Sequence, residues 1–281
     1  MDSLFILFQH IVPQHCLSRL TGWLAQVRHP LWLKNFIIQQ FVRHFEVNMA
    51  EAQQPDPTAF ASFNDFFTRE LQIGARPIAD ADLVCPADGA ISQLGAIEEG
   101  RIFQAKGQSF STRELLGGDE ERAAQFSGGQ FATIYLSPRD YHRVHMPLAG
   151  QLSASSYIPG DLFSVNAVTA ENVERLFARN ERLVCYFDTD VGPMAMILVG
   201  AMVVAGIETV WSGQVAPATN APTVVDYQHL PQPISLAKGD EMGRFKLGST
   251  VILLFPKDSM SWDERYVAGA ATRLGEALGS V

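Results

Sequence analysis

A chain of 281 residues, 47% of them apolar, is long enough to bury a sizeable core as one large domain or two smaller ones. Its formal net charge of -9 excludes a general nucleic-acid binder, which needs clustered Lys and Arg to neutralise phosphates. Cys16, Cys85 and Cys185 are odd in number and far apart, without CxxC or metal-ligand spacing, so a reducing compartment is the simpler setting and no metal is expected.

The first fifty residues carry Arg19, Arg28, Lys34 and Arg43 against Asp2 and Glu46, so a mildly basic start precedes an acidic body. The longest apolar run there, Leu4 to Phe8, falls far short of the roughly 18 to 20 residues of a membrane span and lacks the flanks of a secretory leader. Helical spacing is evident instead. Leu17, Leu20, Leu24 and Val27 form one stripe, and after Pro30, Leu33, Phe36, Ile37, Phe41 and Phe45 form another, with Trp23 and Trp32 flanking the break. Two readings stay open for these stripes: packing on the protein's own core, or lying in the interface of an anionic bilayer.

Residues 50–57 (AEAQQPDP) read as a polar linker, and Ser62 to Asp65 as a capping box ahead of a short helix bearing Phe63, Phe66, Phe67 and Leu71. Strands follow: a hairpin over 101–111 turning at Lys106-Gly107, then strands at 131–136 and 151–157. Residues 170–179 read as one helix, and 182–188 as a strand. The uncharged run 191–207 is punctuated by Gly192, Pro193, Gly200 and Gly206 and flanked by acidic residues, which favours buried strands over a span. The expected class is α+β: N-terminal amphipathic helices over residues 1–60, then an antiparallel β-rich core over 61–281.

Three stretches could carry chemistry. His142 and His145 lie three apart in SPRDYHRVHMP, where Pro138 and Pro147 favour extended chain, so the rings point to opposite sides and do different jobs, or are ordinary loop histidines. Asp88, in CPADGAIS, is first of all part of an Asp-Gly turn signal. Ser249, in KLGSTVILLFP, is by itself a turn residue entering a buried strand, and no GxSxG elbow supports an α/β-hydrolase. Ser, His and Asp do make nucleophile, base and orienting carboxylate when they meet in space, though spacing alone does not establish it.

The blocks FNDFFTREL, PADGAI, YLSPRDYHRVHMP, GDLFSVN, LFARNERLV, GPMAMILVGA, IETVW and GDEMGRFKLGSTVI resemble those of the bacterial phosphatidylserine decarboxylases, in that family's order, from about residue 60 to 257. The N-terminal helices fit more loosely. The resemblance implies a self-processing enzyme cut between Gly248 and Ser249, with Asp88, His145 and Ser249 as the processing triad and His142 serving decarboxylation. The cofactor it implies is a pyruvoyl group made from Ser249, which condenses with phosphatidylserine as an imine and releases CO2 to give phosphatidylethanolamine. Phe163, Ser164 and Asn166 are the residues offered for the head-group pocket, Ser164 facing the phosphate. The implied partners are phosphatidylserine in the membrane, the large chain (1–248) bound to the small one (249–281), and a second copy in a homodimer of cleaved pairs. With a lipid substrate, the interfacial reading of the N-terminal helices gains weight, as a peripheral protein on the cytoplasmic face of the bacterial inner membrane. Two rivals are an uncleaved serine hydrolase using Asp88, His145 and Ser249, and a noncatalytic β-sandwich binding module.

Overall fold

The computed structural model describes residues 6, 9, 12–202, 206–216, 221–246 and 249–281, the side chain of His15 excepted. The Leu4–Phe8 run (Ile6 apart), part of the 191–207 run and Gly248 lie outside the described residues. Among the described elements, helices Gln14–Gln26 and Leu31–Phe45 precede a short helix Phe63–Phe67, and the rest is built mainly from strands. This is the α+β architecture expected, with helices ahead of an antiparallel core.

The principal sheet has nine strands. Eight follow in the order Thr223–Asp226, Gly150–Ile158, Arg182–Thr189, Gly192–Gly200, Ser249–Phe255, Gln130–Leu136, Gly89–Ala96 and Ala271–Thr272, and Ser235–Leu236 also pairs with Gly150–Ile158. Ser249–Phe255 lies inside this sheet, Ser249 facing Leu136 on one side and Gly200 on the other. Apolar residues at every position from Val251 to Phe255 fit a strand covered on both faces. Val251, Leu253 and Phe255 join one core cluster with Leu198 and Met196, while Ile252 and Leu254 join the opposite one with Ile197 and Val199. A four-stranded sheet adjoins it, in which Glu241–Lys246 runs antiparallel to both Arg143–His145 and Gly206–Thr209.

The hairpin forms as expected, Arg101–Ala105 with Gln108–Ser111, and Lys106 and Gly107 both take the positive φ that a two-residue turn demands. Asp88-Gly89, in contrast, is no hairpin turn. A Cβ at Gly89 would lie 2.3 Å from the Tyr135 carbonyl oxygen, so glycine there permits close backbone approach as the strand begins. Residues 170–179 are not one helix but parts of two, Ala167–Asn172 and Leu176–Arg179, separated by Arg175 in the left-handed region. The buried Gln104 carboxamide satisfies the break, donating to the Ala170 and Val173 carbonyls and accepting from Leu176 N.

The stripes on the N-terminal helices divide between two fates. Ile38 is fully buried, and Ile37, Phe41, Val42 and Phe45 pack with Phe63, Phe66 and Phe67. Leu20, Trp23, Leu31, Trp32 and Phe36 stay more than half exposed. The expected linker is pinned to the core: Ala52 is buried and bridges Leu71, and Gln53 N donates to the Glu70 carbonyl. Ser62 caps the Phe63–Phe67 helix by accepting from Asp65 N, and its hydroxyl donates to the Asp65 carboxylate. The tail beyond Pro256 completes the fold. Ala271–Thr272 pairs with the strand that starts at Gly89, and Ala277–Ser280 with Leu83–Val84.

Candidate active site

Ser249 is the first residue of its strand, is fully buried, and its hydroxyl has no hydrogen-bond partner. A buried hydroxyl left unbonded costs about 1–3 kcal/mol, so its persistence here calls for an explanation. The strand ladder brings two sequence blocks to it. Leu136, opposite Ser249, leads through a Ser137–Asp140 turn into His142, and the Phe245 N–H donates to the His142 carbonyl. Gly200, on the other side, accepts through its carbonyl from Asn180 Nδ2, which also donates to the Phe163 carbonyl and so holds the GDLFSVN loop nearby.

His142 is completely buried, its ring 3.9 Å centroid to centroid from Phe67. Its Nδ1 lies 2.9 Å from the Asp140 carbonyl, which can only accept, so the proton is on Nδ1 and Nε2 is a bare base without a partner. Burial pushes its pKa down to about 3; the hydrogen bond to Asp140 opposes this and the nearby charge of Arg69 adds to it. Arg69 is itself buried, donating through Nη2 to the carbonyls of Arg139 and Asp140 while Nε and Nη1 have no partner. Burial lowers its pKa also.

His145 stands on the strand paired with Glu241–Lys246. Its Nδ1 donates to the Gly239 carbonyl at 2.8 Å, leaving Nε2 to accept from the Tyr141 hydroxyl at 3.2 Å. Desolvation lowers its pKa, against the hydrogen bond to Gly239 and the charges of Glu241 and Asp88. The two rings are thus differently placed, as extended chain between the prolines requires.

Asp88 comes near His145 because the His145 N–H donates to the Pro86 carbonyl. Its carboxylate, however, is taken by other partners: Arg76 Nε at 2.9 Å, Arg76 Nη2 at 2.6 Å, and the Leu274 N–H at 2.9 Å. Among the described residues the Gly239 carbonyl, not Asp88, sets the His145 tautomer. Asp88 and Tyr141 line one cleft of about 270 Å3.

Of the residues offered for head-group binding, Phe163 is buried beneath the Arg179 guanidinium at 4.7 Å, and Ser164 is half-buried, its N–H donating to Gln9. Asn166 caps the Ala167–Asn172 helix by accepting from Thr169 N at 2.9 Å. Sequence reasoning did not single out Asn64, Arg69, Arg76 or Tyr141. All but Arg76 stand in the quoted blocks beside residues that were named, and Arg76 had no local signal at all.

At the head of a core strand the chain sets a buried, unbonded hydroxyl, and on flanking segments two imidazoles whose pKa values burial lowers, the kinds of group an enzyme centre uses. The family model for phosphatidylserine decarboxylase matches residues 63–280, and a second, described as PSD, matches residues 4–46. Among similar proteins, a phosphatidylserine decarboxylase proenzyme of Stutzerimonas stutzeri is 59% identical over 281 residues, covering 99% of this chain and 94% of its own length. One of Ectopseudomonas mendocina is 59% identical over 282 residues (99% and 98%), and one of Hahella chejuensis 56% over 282 residues (100% and 94%). The chain belongs to the phosphatidylserine decarboxylase family of carboxy-lyases, and these relatives bear the name of proenzymes.

Proposed function

We propose that this chain cuts itself between Gly248 and Ser249 and, once cut, decarboxylates phosphatidylserine to phosphatidylethanolamine. The observation that carries the reading is the Ser249 hydroxyl, fully buried and unbonded at the head of a core strand. In the first reaction His145 takes the Ser249 hydroxyl proton through Nε2, and the oxygen attacks the Gly248 carbonyl of the same chain. The Gly248–Ser249 amide becomes an ester and the Ser249 nitrogen is released as an amine. Elimination of the ester frees the Gly248 carboxylate, and hydrolysis of the resulting dehydroalanine releases ammonia and leaves a pyruvoyl group at residue 249. Asp88 supports this step through its charge near His145 and by anchoring Leu274 of the small chain.

The surroundings of residue 249 fit such a group. The position is dry, and it is held between Leu136 and Gly200 by a ladder that does not depend on the serine hydroxyl. The pyruvoyl carbonyl, once formed, supplies the electron sink for loss of CO2. His142 relays the proton that replaces the carboxylate: its bare Nε2 first takes the proton from water and, because burial disfavours the cation, readily passes it on. Phe163, Ser164 and Asn166 border the site through the loop held at Gly200 by Asn180.

Attachment to the bilayer is peripheral, at the cytoplasmic face of the bacterial inner membrane, through the helical region 1–60, with 61–281 as the catalytic core. No helix among the described residues is long and apolar enough to cross a membrane. Trp23 and Trp32, 64% and 70% exposed, offer the amphipathic rings suited to head-group level. Lys34 does not serve there, being buried with its ammonium on the carbonyls of Thr58 and Phe60. The working form is a homodimer of cleaved pairs.

The test compares wild type with Ser249→Ala. Wild type is expected to run as two chains on denaturing electrophoresis and to release CO2 from phosphatidylserine; Ser249→Ala is expected to stay whole and inactive. A whole, active Ser249→Ala protein would refute the reading.

A further inference from the structure

A cleft of about 340 Å3 is lined by Arg28, Asn64, Arg244 and Lys246 together with Asp65 and Glu208. Three elements meet there. Arg28 comes from the segment joining the two N-terminal helices, between the exposed Trp23 and Trp32. Asn64 comes from the short helix whose Phe67 lies against His142. Arg244 and Lys246 stand on the strand that runs toward residue 249. The cleft therefore lies between the Trp-bearing helices and two elements that lead to the candidate centre.

Asn64 is the informative residue. It is 6% exposed, and neither its carboxamide oxygen nor its nitrogen has a partner. Two unbonded polar atoms in a buried side chain are costly, and a ligand that accepts from Nδ2 removes the donor's share of that cost. The acids in the cleft are occupied: Asp65 accepts from the Ser62 hydroxyl, and Glu208 pairs with Lys246 and lies 4.0 Å from Arg244. Arg244 also pairs with Glu241 at 2.7 Å. Arg28 is exposed and makes no ion pair among the described residues. With Lys246 and Arg244 already paired, Arg28 is the cation left over, and beside an idle amide donor it favours an anion.

Resting on the proposed decarboxylase reading, we infer that this cleft, rather than Ser164, which does not line it, receives the phosphodiester of the substrate, with Arg28 as its free cation and Asn64 as its buried donor. The chemistry selects the phosphodiester over the carboxylate. Negative charge leaves the carboxylate as CO2 departs, so a cation fixed on it would stabilise the ground state more than the transition state. The phosphodiester keeps its charge throughout. A clamp there binds ground and transition states alike and is expressed in KM, with kcat nearly unchanged.

The experiment uses full-length, self-cleaved protein and dihexanoyl phosphatidylserine below its micelle concentration, which takes bilayer attachment out of the measurement. Arg28→Ala and Asn64→Ala are expected to self-cleave fully and to raise KM about tenfold or more, with kcat within about twofold, as loss of a charge-assisted or buried hydrogen bond implies. Arg28→Lys is expected to restore part of the loss. Glycerophosphoethanolamine, the product head group without acyl chains, is expected to compete in wild type and to lose potency in both alanine variants, with inorganic phosphate a weaker competitor. Unchanged KM in both alanine variants would overturn the inference, as would a site at which inorganic phosphate competes as well as the glycerophosphodiester. Wild type that releases no CO2 would instead overturn the decarboxylase reading, so the two failures are distinguishable.

Discussion

Each of the imidazoles at 142 and 145 gives its Nδ1 proton to a backbone carbonyl, which leaves Nε2 as the basic atom, and burial lowers the pKa of both. Their second nitrogens differ: that of His145 meets the Tyr141 hydroxyl, and that of His142 meets nothing. Different surroundings imply different steps. His145→Ala is expected to leave the precursor whole on denaturing electrophoresis, and normal cleavage would remove it from processing. His142→Ala is expected to cleave largely as wild type while losing CO2 release; wild-type decarboxylation would discard its proton-donor role. Asp88 has a structural duty as well, since Arg76 and the Leu274 N–H both depend on its carboxylate. Removing one member of a buried ion pair strands the other, so Asp88→Ala is expected to lower unfolding free energy by roughly 3 kcal/mol. Urea unfolding of the whole chain reads this, and an unchanged midpoint would show that the Arg76 contact contributes nothing.

Among the elements, the local signals were legible and the long-range ones were not. Lys106-Gly107 announced its hairpin, and the unbroken apolar run after Ser249 announced a strand buried on both faces. The break at Arg175 was hidden, because the group that satisfies it is Gln104, some seventy residues away in sequence. The same limit hid the partner of Asp88: nothing near 88 points to Arg76 or to Leu274 in the tail. The candidate residues Asp88, His142, His145 and Ser249 were singled out through their motif blocks, whereas the orphaned amide of Asn64 emerges only once burial and hydrogen bonds are known. On the N-terminal helices, periodicity marked the apolar stripes but not which part faces inward. Since Ile38 and Phe41 pack inside while Trp23 and Trp32 project, the membrane role can be tested without disturbing the core. Trp23→Ala with Trp32→Ala is expected to weaken flotation with anionic liposomes and to leave the melting temperature within a degree or two, as exposed substitutions generally do. Unchanged flotation would assign those rings no bilayer role.

For the whole molecule, the buried His142 and the half-buried His145 make stability depend on pH. Both have folded-state pKa values below the usual 6.5, that of His142 at about 3, because burial disfavours the cation. The unfolded chain therefore binds more protons than the folded one between those limits, so their contribution is intact above about pH 6.5 and is lost as the pH falls below it. The melting temperature is expected to drop from pH 7.5 to pH 4.5, less steeply in His142→Ala. Equal slopes would show that His142 is not held neutral by burial.

Self-cleavage would leave the small chain, 249–281, tied to the large one by a strand at the heart of the main sheet. Its five side chains from Val251 to Phe255 are fully buried, roughly 1.5–3 kcal/mol each. The tail strands and the Asp88–Leu274 contact add to this hold. The account turns on what residue 249 becomes. Intact mass analysis of purified, active protein is expected to find two chains, the smaller beginning at residue 249 with its serine replaced by a pyruvoyl group and closed to N-terminal sequencing. Active protein consisting of one unbroken chain with serine at 249 would contradict it.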